Sequence, residues 1–322
     1  MIDFADIQSA YERIKPVIHK TPLLSSRTLN GGAGNDIYFK AENFQRIGAF
    51  KFRGAYNKIA SLTEEERRRG IIAHSSGNHA QGVALAGKIF GLKTAIVMPK
   101  DSVSSKVEGA KGYGAEVIFC DVTTDAREIT TAELIKKHGY VLIHPYHDEK
   151  IIAGQGTLVL EIYQEMKDLD YLFVPIGGGG LISGCALAAK SLFPNIRIIG
   201  VETEGANDCY QSFREGRIVK IASAKTIADG MRTLSVGQMN FDIIRRYVDD
   251  VITIKDEDIF PILRFFFERM KIVVEPTGAV APAAVVKNAL SLKGKKICAV
   301  ISGGNIDPAL LTQVFQERST TA

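Results

Sequence analysis

The sequence has 322 residues, 46% of them hydrophobic and 24% charged, which predicts a globular protein with a large core and excludes a disordered chain. The formal net charge of +4 is spread over mixed acidic and basic segments. No basic tract with interleaved aromatic residues occurs, which argues against nucleic acid as a partner. The sequence shows neither a signal peptide nor a membrane-spanning apolar run, so we expect a cytoplasmic protein with no membrane association.

The first part of the chain predicts few regular elements. Apolar residues at helical spacing predict a helix over 6–14, and Pro16 and 21–23 predict an extended segment after it. A strand is expected over 36–40 and a helix over 54–62.

From residue 70 onward, strands and helices alternate. We expect strands over 70–75, 94–98, 116–120 and 140–144, with helices over 79–90, 104–113 and 125–138 between them. The same alternation continues with helices over 153–167 and 181–192 and strands over 169–176, 196–202 and 296–301. This pattern predicts an α/β fold of two three-layer αβα lobes with mostly parallel sheets. A small domain, 70–147, would be inserted into a large domain, 1–69 and 148–322, with a ligand between them.

Cysteines and histidines give no metal-binding pattern. His144 and His147 are the best metal-binding pair, but no third ligand is evident, and a turn around Pro145 explains them equally well. Four cysteines are scattered without C-x-x-C spacing, which favours buried reduced thiols: Cys120, Cys185, Cys209 and Cys298.

One lysine, Lys51, lies between Phe50 and Phe52, with Gly48 and Gly54 nearby. An amine in an apolar pocket has a lowered pKa, and the neutral amine is the form that condenses with an aldehyde. An ordinary lysine beside a pair of core aromatics is the alternative for this stretch alone.

Four consecutive glycines, Gly177, Gly178, Gly179 and Gly180, precede Leu181 between a predicted strand and a predicted helix. Backbone N–H groups at a helix N-terminus bind anions, so this run predicts a phosphate site, although a tight turn is the alternative. The run lacks the lysine of a nucleotide P-loop.

Two polar turns follow other strands. The turn 75–79 contains hydroxyls and an amide at a helix start, with Ser76 and Asn78 as natural N-cap residues, and could bind a carboxylate. Ser302 follows an apolar strand, where its hydroxyl could donate to a ring nitrogen, although a Gly-Gly turn is the simpler interpretation of that stretch.

A dinucleotide-binding oxidoreductase is the competing enzyme class. Glu202 ends a strand about twenty residues after the glycine run, at the position of a ribose-binding acid. However, Ile182 and Ser183 occupy the positions where G-x-G-x-x-G requires glycine. A non-catalytic two-lobed binding protein is a further alternative, in which Lys51 would be incidental.

Together these features resemble the fold-type II pyridoxal phosphate enzymes of the serine/threonine dehydratase and serine racemase family, whose fold is like that of the tryptophan synthase β subunit. The resemblance covers nearly the whole chain and is carried by these motifs: Thr21-Pro22-Leu23, Phe50-Lys51-x-Arg53-Gly54, Ser75-Ser76-Gly77-Asn78-His79, Ala153-Gly154-Gln155-Gly156-Thr157, the tetraglycine run, Ile227-Ala228-Asp229-Gly230 and Ser302-Gly303-Gly304-Asn305.

The resemblance implies roles for particular residues. Lys51 would hold pyridoxal 5'-phosphate as a Schiff base and act as the base at Cα, and Phe50 would lie beside the ring. The other implied cofactor ligands are Gly177, Gly178, Gly179, Gly180 and Leu181 for the phosphate, Asn78 for the ring hydroxyl and Ser302 for the ring nitrogen. The implied substrate-carboxylate ligands are Ser75, Ser76, Gly77, Asn78 and His79.

Two details of the resemblance concern the subfamily. Ser76 occupies the position of the racemase acid on the face opposite the lysine, and inversion requires such a second group. Glu202, the Ala206 carbonyl and Asp208 resemble the divalent cation site of serine racemases, with oxygen ligands suited to Mg²⁺, Ca²⁺ or Mn²⁺.

We therefore expect a homodimeric L-threonine/L-serine dehydratase (ammonia-lyase) that yields 2-oxo acid and ammonia from a small amino acid, with serine racemisation as a second activity. Racemisation as the main activity is one alternative. Hydroxyaspartate dehydration is another, because either Arg232 or His147 could face the substrate side chain. No isoleucine-type feedback domain is expected.

Overall fold

The computed structural model describes residues 2–102, 104–123 and 125–316. Within them the strands are β1 (Leu23–Ser25), β2 (Asp36–Ala41), β3 (Ile71–His74), β4 (Thr94–Pro99), β5 (Glu116–Cys120), β6 (Val141–Leu142), β7 (Tyr171–Pro175), β8 (Arg197–Thr203), β9 (Asp250–Ile254) and β10 (Lys296–Ile301). The α-helices are α1 (Phe4–Ile14), α2 (Arg27–Ala33), α3 (Lys51–Ala60), α4 (Glu64–Arg69), α5 (Asn78–Ile89), α6 (Ser104–Gly112), α7 (Ala126–His138), α8 (Glu149–Glu165), α9 (Gly180–Leu192), α10 (Asp208–Glu215), α11 (Gln238–Tyr247), α12 (Ile259–Phe265), α13 (Pro276–Val286) and α14 (Pro308–Gln316).

The strands form two sheets. The larger has the order β1-β2-β10-β7-β8-β9, in which β1 is antiparallel to β2 and the remaining pairs are parallel. The smaller has the order β5-β4-β3-β6 and is parallel throughout. The predicted α/β fold with mostly parallel sheets is confirmed, whereas the division into domains at 70 and 147 stays a prediction.

Helices cover both faces of each sheet. On the larger sheet, α1, α8, α9 and α11 bury one face, and α12 and α13 bury the other. On the smaller sheet, α3, α5 and α6 cover one face and α7 the other. Strands buried on both faces lose the alternating pattern, which explains the continuous apolar runs at β7 and β10.

Helix α8 packs unusually closely against its neighbours through glycine. A Cβ added at Gly154 would lie 2.6 Å from the Cα of Gly54 in α3, and one added at Gly156 would lie 2.6 Å from the Gly184 carbonyl in α9. The predicted helix at 153 begins earlier, at Glu149, because Asp148 caps it by accepting the backbone N–H of Lys150. The glycine-containing motif of α8 therefore fixes the position of α3, the helix that begins with Lys51.

The predicted state of the cysteines is confirmed, since all four are buried and free. No helix in the described ranges has the length and apolar character needed to cross a bilayer.

Candidate active site

Lys51 is the first residue of α3. Its Nζ donates to the Pro145 carbonyl at 2.8 Å and lies 5.1 Å from the centroid of the Phe50 ring. Burial lowers the pKa of the Lys51 amine to about 8, and the nearby Glu275 carboxyl partly opposes that shift. Near pH 8 a large share of this amine is thus neutral and nucleophilic.

Backbone pairing brings Lys51 beside the end of β10. The Phe50 N–H donates to the Ser302 carbonyl at 3.1 Å, and the Gly304 N–H donates to the Gly48 carbonyl at 2.9 Å. Strand β10 is central in its sheet, so Ser302 lies at the carboxyl edge, where α/β sheets bind ligands. Two motifs some 250 residues apart in sequence therefore form one wall of the site.

Ser302 has an unsatisfied hydroxyl. Its side chain is only 2% exposed, and its Oγ has no hydrogen-bond partner among the described residues. Buried hydroxyls without a partner are rare because leaving one unpaired costs about 1–3 kcal/mol. This atom therefore suits a ligand with an acceptor at the same place, such as a ring nitrogen.

Asn78 is held at both ends of its amide. Its Nδ2 donates to Glu275 Oε1 at 2.7 Å, and its Oδ1 accepts from Asn305 Nδ2 at 2.8 Å. Burial, with the charge of nearby Asp229 as a second cause, raises the pKa of the Glu275 carboxyl to about 8. Sequence reasoning missed Glu275, because Glu followed by Pro is an ordinary helix start.

The tetraglycine run joins β7 to α9, as predicted, and neighbouring groups pack closely against its backbone. Gly179 has a left-handed φ of 92°. A Cβ at Gly178 would lie 2.3 Å from the Tyr146 ring, and one at Gly177 would lie 2.8 Å from the Gly230 carbonyl. The run begins helix α9, whose first N–H groups have no intrahelical acceptor and favour an anion. The geometry fits a phosphate group, although the individual ligands stay predictions.

The turn 144–148 is a second part of the site, and sequence reasoning missed the contacts of Pro145 and Tyr146 in it. Pro145 accepts from Lys51, and the Tyr146 ring packs on the glycine run. His144 and His147, the best candidates for a metal pair, are arranged otherwise: His144 Nδ1 accepts the His147 backbone N–H at 2.9 Å, and no cluster of three metal-ligating side chains occurs in the described ranges. The turn around Pro145, the alternative interpretation, explains both histidines.

The polar turn 75–79 leads from β3 into α5. Gly77 is the N-cap residue, and no described side chain caps the helix, so the expected caps at Ser76 and Asn78 are wrong. Uncapped N–H groups remain available to a ligand carboxylate. His79 is 2% exposed and its Nε2 donates to the Ile143 carbonyl at 2.7 Å, so its ring belongs to the core.

Glu202 and Asp208 lie together near the end of β8. Both are fully buried, and Glu202 accepts the backbone N–H of Tyr210 at 2.6 Å. Burial, reinforced by the Asp208 charge, raises the pKa of Glu202 well above its usual range, and burial raises that of Asp208 to about 7. The Asp208 carboxyl oxygens have no side-chain partner among the described residues, and the backbone N–H groups of Asp208 and Val236 only partly oppose the rise in its pKa. Glu202 is not presented as a free ribose-binding acid, which argues against the dinucleotide alternative.

A buried ion cluster anchors the helix of Lys51. Arg53 donates to Glu42 and to Glu161, each at 2.7 Å, and Lys40 pairs with Glu161 at 2.6 Å. All four side chains are at most 1% exposed. The Arg53-Gly54 part of the lysine motif is thereby explained by position: it holds α3 against β2 and α8.

One ion pair links the smaller sheet to the larger. Lys106, on α6, pairs with Asp229 in a short 3-10 turn at Asp229–Met231. The neighbouring Gly230 carbonyl lies against the glycine run. Arg232, considered for the substrate side chain, is exposed and donates to the Thr226 carbonyl at 2.7 Å.

These features fit an α/β enzyme with a buried lysine of lowered pKa and a closely packed glycine run at a helix N-terminus. The chain belongs to the family described as pyridoxal-phosphate dependent enzyme, whose family model matches residues 14–303. This finding overturns the oxidoreductase and non-catalytic alternatives and confirms the resemblance. The buried Ser302 hydroxyl and the closely approached glycine run fit that cofactor.

Relatives with three different activities are similar to this chain. It is 49% identical over 304 residues to L-threo-3-hydroxyaspartate ammonia-lyase of Saccharomyces cerevisiae, covering 94% of this chain and 93% of that protein. It is 48% identical over 304 residues to serine racemase of Schizosaccharomyces pombe, with 94% of each covered. The solved T.th. threonine deaminase has a TM-score of 0.90 at 42% identity, covering 95% of this chain and 99% of that one.

Proposed function

We propose that the protein is a pyridoxal phosphate-dependent L-threonine/L-serine ammonia-lyase with serine racemase activity. The observation that carries the proposal is the convergence of Lys51, the unpaired hydroxyl of Ser302 and the glycine run at one sheet edge. Ammonia-lyases and racemases among the relatives support the same reaction class.

Each residue has a proposed task toward the cofactor. Lys51 attaches it and Phe50 lies beside the ring, while Asn78 holds the ring hydroxyl and Ser302 the ring nitrogen. The phosphate lies against the N–H groups of the run from Gly177 to Leu181. When bound, pyridoxal phosphate supplies an aldehyde for amines and a ring that takes up electron density from Cα.

The protein's own groups then handle the protons. Neutral Lys51 accepts the Cα proton of the substrate, which its lowered pKa permits at physiological pH. The uncapped start of α5, from Ser75 to His79, holds the substrate carboxylate. Loss of the Cα proton and the β-hydroxyl gives water and an unsaturated amino acid, which hydrolyses to 2-oxo acid and ammonia. Ser76 serves as the acid on the opposite face during racemisation.

Hydroxyaspartate dehydration is the second candidate, favoured by the 49% identical yeast relative. Its extra carboxylate needs a polar partner at the side-chain end of the site. His147 is the better candidate for that partner, since the Arg232 guanidinium already donates to a backbone carbonyl. Both residues stay predictions.

We also propose a divalent cation held by Glu202, Asp208 and the Ala206 carbonyl. The Asp208 oxygens, which have no side-chain partner among the described residues, support it, because two buried carboxylates need a cation or a proton. We further propose that the protein is a cytoplasmic homodimer with a large cofactor domain and a small inserted domain. Cell fractionation tests the location, sedimentation tests the dimer, and limited proteolysis tests the division into domains.

The decisive experiment is an absorbance spectrum of the protein purified with pyridoxal phosphate, followed by addition of L-threonine, L-serine or L-threo-3-hydroxyaspartate. We expect a visible band that shifts on adding substrate, with 2-oxo acid appearing. The rates with the three substrates decide between the two lyase candidates. A protein that stays colourless after incubation with pyridoxal phosphate contradicts the proposal.

Ser76→Ala tests the racemase part. We expect about a hundredfold less D-serine formation with a much smaller loss of 2-oxo acid, since only inversion needs an acid on both faces. Chiral chromatography and a 2-oxo acid assay on the same sample measure the two rates, with Ser104→Ala on α6 as the matched control. Equal losses of both activities would remove the two-face argument.

A further inference from the structure

The orientation of the Asn78 amide matters for any ligand at this site. A side-chain amide offers N–H donors at one end and a carbonyl acceptor at the other, and a flip exchanges them. A ring hydroxyl that has lost its proton can only accept hydrogen bonds. Asn78 serves such a partner only when its Nδ2 faces it.

The structure fixes that orientation through Asn305. Asn305 Nδ2 donates both to the Ile47 carbonyl at 2.7 Å and to Asn78 Oδ1 at 2.8 Å. A backbone carbonyl only accepts, so the Ile47 carbonyl determines which end of the Asn305 amide faces it. Ile47 has a left-handed φ of 61°, which is uncommon for a β-branched residue. The neighbouring turn thus imposes the orientation of Asn305, and Asn305 imposes that of Asn78.

Glu275 accepts a hydrogen bond from the other end of the Asn78 amide. Its Oε1 accepts from Asn78 Nδ2 at 2.7 Å, and its own backbone N–H donates to the Gly303 carbonyl at 3.1 Å. Glu275 is only 4% exposed and is the N-cap residue of α13. Because Nδ2 carries two hydrogens and Glu275 takes one, a single N–H remains for a ligand.

We propose that Asn305 and Glu275 are positioning residues that hold Asn78 with one N–H aimed at the ring hydroxyl of the cofactor. This inference rests on the proposed function, specifically on the contact between Asn78 and that hydroxyl. The set Asn78, Glu275 and Asn305 is called the amide clamp below. It assigns a task to the last residue of the Ser302-Gly303-Gly304-Asn305 motif and to a glutamate outside any motif.

The experiment compares variants loaded with pyridoxal phosphate at pH 7, using the position of the visible absorbance band and the dissociation constant of the cofactor. Asn305→Asp replaces the donor by an acceptor and turns the Asn78 amide around. Asn305→Ala removes the donor without adding charge and serves if the aspartate variant does not fold. Glu275→Leu removes the acceptor, whereas Glu275→Gln keeps it.

We expect Asn78→Ala, Asn305→Asp, Asn305→Ala and Glu275→Leu to shift the band in the same direction and to weaken cofactor binding about tenfold, the effect of one lost hydrogen bond. Glu275→Gln should keep the band in place. In the Asn78→Ala background, Asn305→Ala should add no further shift, because the clamp acts only through Asn78. The matched control is Asn288→Asp, a remote amide likewise bonded at both ends, to Leu292, which should leave the band unchanged.

Two failures are distinguishable. If Asn78→Ala shifts the band but the Asn305 and Glu275 variants do not, the amide clamp is wrong and the proposed function stands. If Asn78→Ala leaves the band unchanged, the proposed contact between Asn78 and the cofactor is wrong. The amide clamp is then wrong as well, because it depends on that contact. An additive shift in the double variant likewise overturns the clamp.

Discussion

Two buried polar regions lie on either side of the first turn of α3, and they differ in how their groups are satisfied. In the ion cluster of Arg53, Lys40, Glu42 and Glu161, every charge has an opposite charge within 2.7 Å. Two residues earlier, and counting described residues alone, Lys51 has only a backbone carbonyl as hydrogen-bond acceptor and Ser302 has no partner.

The difference shows that buried polar groups can serve either the stability of the fold or the chemistry of the site. A charge buried with a matched partner keeps its ordinary protonation, so the ion cluster can anchor α3 without chemistry of its own. A charge buried without one changes its pKa, as the amine of Lys51 and the carboxyl of Glu275 do. The unpaired groups indicate where the protein expects a ligand.

The largest expected effect is on activity. Lys51→Ala should lower ammonia-lyase activity by at least about a thousandfold, since it removes both the attachment point and the base. Thermal unfolding of the cofactor-free protein should be unaffected or shifted upward, because the ammonium is disfavoured at pH 7. The control Lys58→Ala removes a lysine of the same helix that pairs with Asp148, and it should keep activity. Full activity in Lys51→Ala would contradict the mechanism.

The lowered pKa of Lys51 can be tested through the pH dependence of cofactor capture. Its pKa in the folded protein is lowered to about 8, so the neutral amine grows with pH through that value. Capture of pyridoxal phosphate by cofactor-free protein should therefore accelerate up to about pH 8 and level off above it. Stopped-flow absorbance measures the rate, and a profile that rises only near pH 10 would show an ordinary lysine.

In the ion cluster, Arg53→Met should destabilise the protein by about 3–5 kcal/mol, because it leaves Glu42 buried without a charged partner and Glu161 with Lys40 alone. Urea unfolding measures the loss. Arg214→Met provides the exposed counterpart: Arg214 pairs with Asp250 at 2.7 Å, and its loss should cost less than about 1 kcal/mol. Equal costs would mean that the two kinds of ion pair are equivalent here.

Asp208→Asn tests the other unpaired carboxyl. The pKa of Asp208 is raised to about 7 in the folded protein, so this carboxyl destabilises the metal-free fold progressively as the pH rises from its ordinary pKa, about 4, to about 7, and in full above that. The variant should be about 1–3 kcal/mol more stable at pH 8, and Mg²⁺ should raise the unfolding temperature of the wild type only. Asp121→Asn, at an exposed pair with Lys100, is the control. An equal Mg²⁺ response in the wild type and in Asp208→Asn would refute the cation site.

The smallest effect on stability is expected from Ser302→Ala. Because the hydroxyl has no partner among the described residues, its removal relieves part of the cost of burying it, so the free energy of unfolding should stay unchanged or rise by up to about 1 kcal/mol, while cofactor binding weakens about tenfold. Ser212 is buried too, but it donates to the Asp208 carbonyl at 2.6 Å, so Ser212→Ala should cost about 1 kcal/mol. A larger loss of stability from Ser302→Ala would indicate a structural serine.

The sequence alone determined the fold class, because strand and helix periodicities are local and their alternation forces a parallel sheet. It also identified the cofactor family, since Lys51, the glycine run and Ser302 stand in motifs of recognisable order. Helices and strands between 204 and 295 received no prediction: the buried helix α13 is apolar all round and contains Pro282, so it shows no helical periodicity.

Only the tertiary structure decided which polar groups are paired. Nothing local distinguishes Arg53, which has two carboxylate partners, from Lys51, which has none in the part of the chain that the structure describes, although they stand two residues apart in one helix. The turn 144–148, Glu275 and Asn305 reach the site through chain segments distant in sequence. Burial and hydrogen bonding are properties of the assembled fold, and they set the pKa values and the amide orientation on which the chemistry depends.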